Sequence, residues 1–306
     1  MPFSTDSEDP FYVGLAGIDI EAGEVDLGMG VLLRPTFAHL MAPFLMAFAP
    51  ASPGRPHPPP WKAAAGGFGW DIRAEIAIPH ISGASLRERL TFVRTILSLL
   101  RLWACPSILA PVISTIRFAT AANAPDNAAH FLPFEVEPMH MQLKASSGGS
   151  LSRQSLEWIT SALPKTVVLV DKHPELDMAI VALDRSQFVR EPALILMSLW
   201  AALEAIFSPD KAAELKFRIA VRIACYLESK GANRLELYNK VRKLYDARSA
   251  AAHGSSKWKP EFALLETYFL LRRAFIQIIE RNHFPIQQEL EALIFCPEGE
   301  HTPATS

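Results

Sequence analysis

Five amphipathic segments follow one another between residues 173 and 282, and this succession constrains the fold more than any other feature of the chain. Apolar residues recur in each segment every three or four positions, which is the period of one helix face. Short polar stretches separate them, and helices with short connections pack as antiparallel neighbours. The sequence therefore predicts an up-and-down bundle, with helices over residues 173–188, 191–207, 208–231, 233–254 and 260–282. Pro192 suits the first turn of the second helix, and Ser208 and Gly231 are the potential N-cap and C-cap of the third.

The first 150 residues show a different pattern. Within residues 11–81, runs such as GIDIEAGEVDLGMGVLL alternate apolar and polar positions between Gly and Pro, which is typical of strands and turns. Residues 85–106 have helical periodicity, and two further strands are expected around residues 108–118 and 131–137. These patterns predict an α+β domain before the bundle.

The fold class predicted from the whole chain is thus an α+β N-terminal domain followed by an all-α helical bundle. We place the first domain at residues 1–150, the bundle at residues 151–296 and a flexible tail at residues 297–306. With 306 residues, half of them apolar, the chain is long enough to bury two cores.

Composition also limits the cofactors and the compartment. The three cysteines form neither a metal-ligand spacing nor a disulfide framework, so we expect no cofactor and no metal. The longest apolar run, residues 195–207, is shorter than the ~20 residues of a membrane span. The N-terminus also lacks the pattern of a secretory signal. We expect a soluble cytoplasmic protein with no membrane partner.

Basic side chains concentrate around one motif. The net charge of the chain is −2, yet residues 211–259 carry 12 basic and 4 acidic side chains, a local charge of +8. Within this block lies LYDARSAAAHG, in which Arg248 precedes His253 by five positions. Imidazole can transfer a proton near neutral pH, and guanidinium can hold a phosphate. The pair therefore suggests metal-independent cleavage of an RNA phosphodiester. Five nearby cations would attract the polyanion: Lys240, Arg242, Lys243, Lys257 and Lys259.

Arg248 falls in the apolar stripe of its helix, and Glu204 has the same kind of position on the helix over residues 191–207. A charge there is costly unless it is paired, so we predict a bidentate Glu204–Arg248 ion pair. On an unbroken helix His253 would point ~140° away from Arg248. Either Gly254 ends the helix and His253 turns toward a groove, or two copies of the helix share one cleft across a dimer.

A purely structural interpretation of the same residues stays open. His253 could cap helix carbonyls, and the basic block could be a solvated surface. Asp246 and Ser249 could orient His253 or contact phosphate, or they could simply lie on the exposed helix surface. Three aromatic residues could either stack on bases or join the core: Tyr238, Tyr245 and Trp258.

LYDARSAAAHG resembles the signature of HEPN domains, which are small helical bundles carrying an Arg and, a few residues later, a His. The order of LWAALEAIFSPD, ELKFRIAVRIACYLE and KVRKLYDARSAAAHG is similar to the Apea-like branch of these domains in bacterial proteins. The resemblance covers roughly residues 170–282. It implies a bundle that dimerises so that two motifs line one cleft. Many HEPN proteins are endoribonucleases in toxin, phage-defence or RNA-processing systems, and others are inactive binding modules.

Carried onto this sequence, the resemblance assigns catalysis to Arg248 and His253 and matches Glu204 to a recurrent acidic position. Tyr245, Asp246 and Ser249 are expected to support them. Active members often carry Asn, Asp or His directly after the arginine, whereas this chain has Ser249 followed by three alanines. The hypothesis is a homodimeric endoribonuclease, a hydrolase of antiviral defence or toxin-like stress response, whose N-terminal domain senses a trigger ligand. The alternative is a non-catalytic HEPN module that binds nucleic acid or protein. A third possibility places the activity upstream, with the N-terminal domain sensing a ligand and the bundle relaying the signal.

Overall fold

The computed structural model describes residues 11–21, 23–42, 44–80, 84–125, 128–137, 150–208, 214–254 and 260–296. An N-terminal sheet region is followed by a helical region, as the sequence predicts. The chain forms two compact units. The sheet unit takes the described residues of 1–93, 107–136 and 145–156, and the helical unit takes those of 94–106, 137–144 and 157–306.

Ten strands lie in the described part of the sheet unit. They are β1 (Phe11–Ala16), β2 (Asp19–Ile20), β3 (Val25–Asp26), β4 (Leu32–Ala42), β5 (Leu45–Ala47), β6 (Trp61–Ala63), β7 (Phe68–Ile78), β8 (Leu109–Ser114), β9 (Phe131–Pro133) and β10 (Ser150–Leu151). Six of them form one antiparallel sheet in the order β3-β4-β7-β1-β8-β9. Strands β5 and β6 form a separate two-stranded ribbon, and β10 pairs with β2 in parallel. The strands expected around residues 108–118 and 131–137 are confirmed as β8 and β9.

Close packing at the centre of the sheet requires a glycine. Strand β1 is almost entirely buried, and Phe118, from the short helix α2 (Phe118–Ala121), packs over it at Gly14. A Cβ on Gly14 would lie 2.9 Å from Cζ of Phe118, which is closer than side-chain carbon atoms can approach. Buried Ile72 and Val112 from the neighbouring strands complete this small core.

The predicted helix over residues 85–106 is confirmed as α1 (Leu86–Trp103). Ser85 and Glu88 cap its start reciprocally: the Ser85 N–H donates to the Glu88 carboxylate at 2.7 Å, and the Glu88 N–H donates to the Ser85 hydroxyl at 3.3 Å. The later part of α1 belongs to the helical unit, where Arg101 forms a buried ion pair with Asp184. Trp103 also stacks on Trp158 there, with ring centroids 4.1 Å apart.

The helical unit contains α3 (Arg153–Lys172), α4 (Pro174–Arg185), α5 (Pro192–Phe207), α6 (Leu215–Leu227), α7 (Ala232–Ala252), α8 (Pro260–Arg281) and α9 (Gln287–Phe295). The five predicted bundle helices are confirmed as α4 to α8, whereas α3 and α9 were not predicted. Pro192 lies in the first turn of α5, as expected. Among the described residues, no helix is long and apolar enough to cross a membrane.

Two predicted helix caps are wrong. Ser208 does not begin α6; it ends α5, because its N–H donates to the carbonyl of Glu204 at 2.8 Å. Gly231 does not end α6, which stops at Leu227. It instead precedes α7 with a φ of +152°, a value that favours glycine. The sequence therefore located these helices correctly but assigned the residues between them to the wrong helix ends.

Candidate active site

The apolar stripe of α7 brings Arg248 against α5. Leu237, Val241 and Leu244 are buried on this face, and Arg248 continues it one turn further on. The Arg248 Nη2 atom lies 3.2 Å from Oε1 and 3.3 Å from Oε2 of Glu204. The predicted ion pair is therefore confirmed. Its bidentate geometry is not, because a single guanidinium nitrogen contacts both carboxylate oxygens.

Several polar atoms at this pair are buried without a hydrogen-bond partner among the described residues. They are Nε of Arg248, Nε1 of Trp200 and Oε1 of Glu204. The Glu204 Oε1 atom lies 3.2 Å from Nη2 of Arg248 but is not aligned for a hydrogen bond. A buried donor or acceptor left in this state costs about 1–3 kcal/mol. The site therefore retains unused hydrogen-bonding capacity next to a guanidinium that is about one quarter exposed.

Tyr245 lies beside the pair on α7. Its ring packs edge-on against Trp200 with centroids 5.1 Å apart, and the Arg248 guanidinium carbon lies 5.6 Å from the ring centroid. Burial raises the pKa of the Tyr245 phenol, and the negative charge of Glu204 raises it further, against the opposing effect of Arg248. Tyr245 is thus a neutral member of a cluster with Trp200, Glu204 and Arg248, which we call the α5–α7 cluster.

His253 lies at the end of α7, as the sequence predicts. The helix stops at Ala252, and the backbone N–H of His253 donates to the Ser249 carbonyl at 3.2 Å. Gly254 follows with a φ of +65°, and its N–H donates to the Ala251 carbonyl at 3.1 Å. The exposed imidazole has no hydrogen bond or ion pair with any described residue. Backbone groups therefore satisfy the Ser249 and Ala251 carbonyls at the end of α7, and the ring does not cap them.

The remaining supporting residues are Asp246 and Ser249, and the structure gives them different partners. Asp246 accepts two hydrogen bonds from Lys216 of α6, at 2.6 and 2.7 Å, so its carboxylate is committed to α6 rather than to the imidazole. Ser249 is half-buried and supplies the backbone carbonyl that His253 contacts. Within one chain no hydrogen bond joins Arg248 to His253, in accord with their offset on the helix.

The five candidate RNA-binding cations are in three situations. Lys240 forms an ion pair with Glu266 of α8, which neutralises part of its charge. Arg242 and Lys243 are exposed, and the Arg242 guanidinium carbon lies 5.5 Å from the centroid of the Tyr238 ring. Lys257 and Lys259, like Trp258, lie outside the described residues.

A surface groove of about 590 Å³ lies along α7 and α8, and sequence reasoning did not anticipate it. Leu235 and Phe262 contribute exposed apolar surface, while Lys240, Lys243 and Glu266 contribute charge. Trp200 was also missed as a member of the site. Its position four residues before Glu204 would have revealed it, because residues so spaced share one helix face.

No protein-family model matches the chain, and neither the curated proteins nor the solved structures give a match. The resemblance to Apea-like HEPN domains therefore stays a prediction that depends on the motif and on the order of the helices. Within the described ranges, no group of three or more His, Cys, Asp or Glu side chains is arranged to hold a metal ion.

Proposed function

We propose that the protein is a homodimeric endoribonuclease of the HEPN type that cuts RNA without a metal ion. One observation carries the proposal: the same helix holds Arg248 in the α5–α7 cluster and ends at an exposed His253 imidazole that is not paired with any described residue. A fixed guanidinium can stabilise charge that develops on a phosphoryl group, and an imidazole without a partner can transfer protons.

The proposed reaction uses the RNA's own 2′-hydroxyl as nucleophile. A neutral imidazole removes the proton from this hydroxyl while its oxygen attacks phosphorus, and the bond to the 5′-oxygen of the next nucleotide breaks. A second, protonated imidazole gives a proton to the departing oxygen. Arginine neutralises the charge that develops on the phosphoryl oxygens. The products are a 2′,3′-cyclic phosphate and a 5′-hydroxyl.

Two copies of the chain supply both imidazoles. Arg248 and His253 do not bond within one chain, whereas an isologous interface built from α7 would place two arginines and two histidines around one axis. The Arg248 guanidinium, about one quarter exposed, is then the group that can face a phosphate oxygen near that axis. Arg242 and Lys243 are exposed cations of α7 that would guide RNA toward the cleft, together with Lys257 and Lys259.

A dimer in solution is the first testable consequence. Sedimentation velocity at micromolar protein concentration is expected to show a two-chain species for the unaltered protein. His253→Ala should also sediment as the dimer, since the exposed imidazole contributes little to packing. A strictly monomeric protein would contradict the shared cleft.

A non-catalytic HEPN module that binds RNA or protein is the second candidate function. The specific observation in its favour is the engagement of Asp246 by Lys216, which removes one polar group from the motif that could have oriented His253. The part played in phage defence or stress response is supported by the resemblance alone, and the sensing of a trigger by the N-terminal domain stays a hypothesis.

Incubating the purified protein with total RNA in EDTA distinguishes the two functions. We expect fragmentation that survives chelation and that His253→Ala abolishes. RNA that is retained by the protein but stays intact would favour the binding module.

A further inference from the structure

An apolar arm projects from the edge of the sheet unit. It comprises the end of β4 at Met41, the ribbon strands β5 and β6, and the loop over residues 48–60 between them. Six large apolar side chains of this arm are each 54–74% exposed: Met41, Phe44, Leu45, Met46, Phe48 and Trp61. Six exposed large apolar side chains within one short segment are unusual on a protein and point to a site of interaction.

The shape of the arm is fixed although its apolar side chains lie in solvent. The Ala64 N–H donates to the Phe44 carbonyl at 2.8 Å, and the Trp61 indole N–H donates to the His57 carbonyl at 3.0 Å. A ring nitrogen of His57 lies 2.8 Å from the carbonyl oxygen of Ala49. Phe44 also packs edge-on against Phe68, with ring centroids 5.7 Å apart. Backbone, polar and aromatic contacts therefore hold the arm in a shape that leaves its large apolar side chains more than half exposed.

Each face of the ribbon carries an exposed large apolar side chain, and Lys62 lies opposite Met46 on one of them, which restricts what can cover the ribbon. Leu45 and Met46 are consecutive in β5, so their side chains point to opposite faces, and they are 61% and 54% exposed. Pairing of Ala47 with Trp61 places the indole on the Leu45 face. A protein partner docked on one face would leave the other in water, whereas a lipid interface surrounds both.

The charges of the arm also favour a lipid surface. Residues 41–70 contain Arg55, Lys62 and no acidic side chain, although residues 1–150 as a whole carry 13 acidic against 10 basic residues. Cations beside exposed apolar side chains suit the anionic headgroups of a bilayer. Trp61 has the amphipathic ring that is enriched at the boundary between headgroups and acyl chains.

We propose that this arm inserts into the interfacial layer of an anionic lipid membrane and holds the protein there peripherally. Insertion is shallow, because a two-stranded ribbon has unpaired backbone edges that cannot enter hydrocarbon, and the depth is about 5–10 Å. The proposal departs from the sequence-based expectation of no membrane partner, which considered only spanning segments. It is independent of the proposed nuclease activity.

Co-sedimentation of the full chain with vesicles tests the proposal. We expect binding to phosphatidylcholine–phosphatidylglycerol vesicles mixed at about 2:1, and weaker binding to phosphatidylcholine alone. Replacing Leu45 and Met46 together by serine should weaken binding at least ~10-fold, because two apolar side chains no longer leave water. The matched control replaces Leu194 and Phe262 by serine, two equally exposed positions of the helical unit, and should bind as the unaltered protein does.

The basic residues give a second comparison. Replacing Arg55 and Lys62 by glutamine should weaken binding to the anionic vesicles ~5-fold for each charge removed. Replacing the exposed Arg87 and Lys172 by glutamine changes the net charge equally and should have no such effect. Because only side chains of the arm are expected to enter lipid, brominated lipids should quench the fluorescence of the unaltered protein more than that of Trp61→Phe.

Three results would overturn the proposal. The first is that the unaltered protein does not bind vesicles. The second is that the Leu45/Met46 variant binds them as tightly as the unaltered protein, with an unchanged circular dichroism spectrum. The third is that brominated lipids quench the fluorescence of Trp61→Phe as much as that of the unaltered protein. If the unaltered protein does not bind vesicles but sediments as an oligomer, and the Leu45/Met46 variant sediments as a smaller species, the arm is an interface with a second copy of the chain.

Discussion

Replacing His253 by alanine is expected to lower the rate of RNA cleavage by ~10²–10⁴-fold, the usual contribution of a general acid or base. RNA affinity should barely change, because the exposed imidazole adds at most one charge to a strongly basic region. Single-turnover cleavage and equilibrium binding measured on the same RNA separate the two effects. His80, another exposed histidine, provides the control: His80→Ala should change neither quantity.

A second variant should show the reverse behaviour. Replacing Lys243 and Lys257 by glutamine should weaken RNA binding across sequences and flatten its salt dependence, since fewer counterions are released. Cleavage of saturating RNA should then change little. If His253→Ala lowers affinity and rate together, or lowers neither, the imidazole is not the proton-transfer group and the binding module is the better description.

Glu204→Ala is expected to destabilise the helical unit by about 1–3 kcal/mol, as measured by chemical denaturation. The change leaves the Arg248 guanidinium without its partner in a site that already has unsatisfied polar atoms. The apolar helix faces suggest a fully buried pair, for which loss of one partner costs ~3–5 kcal/mol. The observed side chains are 25% and 21% exposed, so water recovers part of that cost.

Glu266→Ala is the matched control for this prediction. Glu266 pairs with Lys240 between α7 and α8, and its side chain is 28% exposed, close to that of Glu204. The flexible, more exposed lysine can return to water, so the loss should be within ~1 kcal/mol. Equal destabilisation by the two variants, or none by Glu204→Ala, would show that the α5–α7 cluster has no special role in the bundle.

Sequence periodicity is sufficient to predict the helices whose apolar stripe is regular. It is insufficient where residues of low helix propensity interrupt the pattern. Helix α3 contains Pro164 followed by several β-branched residues, which are poor helix formers, so the sequence pattern alone does not predict a helix there. Tertiary burial overrides that preference, since Ile159 and Leu163 are completely buried. The capping errors at Ser208 and Gly231 have a similar origin, because a capping residue suits either of two adjacent helix ends.

Some features of the candidate site can likewise be predicted from the sequence, and others cannot. The apolar faces of α5 and α7 suffice to predict the Glu204–Arg248 pair, because a charge within an apolar stripe needs an opposite charge and few other partners are available there. They could not predict that one nitrogen would contact both oxygens, which depends on how the helices are rotated and spaced. The helix faces also could not predict that Lys216 would donate hydrogen bonds to Asp246, since this contact depends on the position of α6 beside α7.

The central claim is cleavage by the 2′-hydroxyl under general acid–base catalysis, and one substrate tests it most directly. An RNA oligonucleotide with a mapped cleavage site is compared in EDTA with the same oligonucleotide carrying a single 2′-deoxyribose at that site. We predict a 2′,3′-cyclic phosphate and a 5′-hydroxyl from the first and no cut at that position in the second. Cleavage at the deoxy position, or products ending in a 5′-phosphate, would contradict the account.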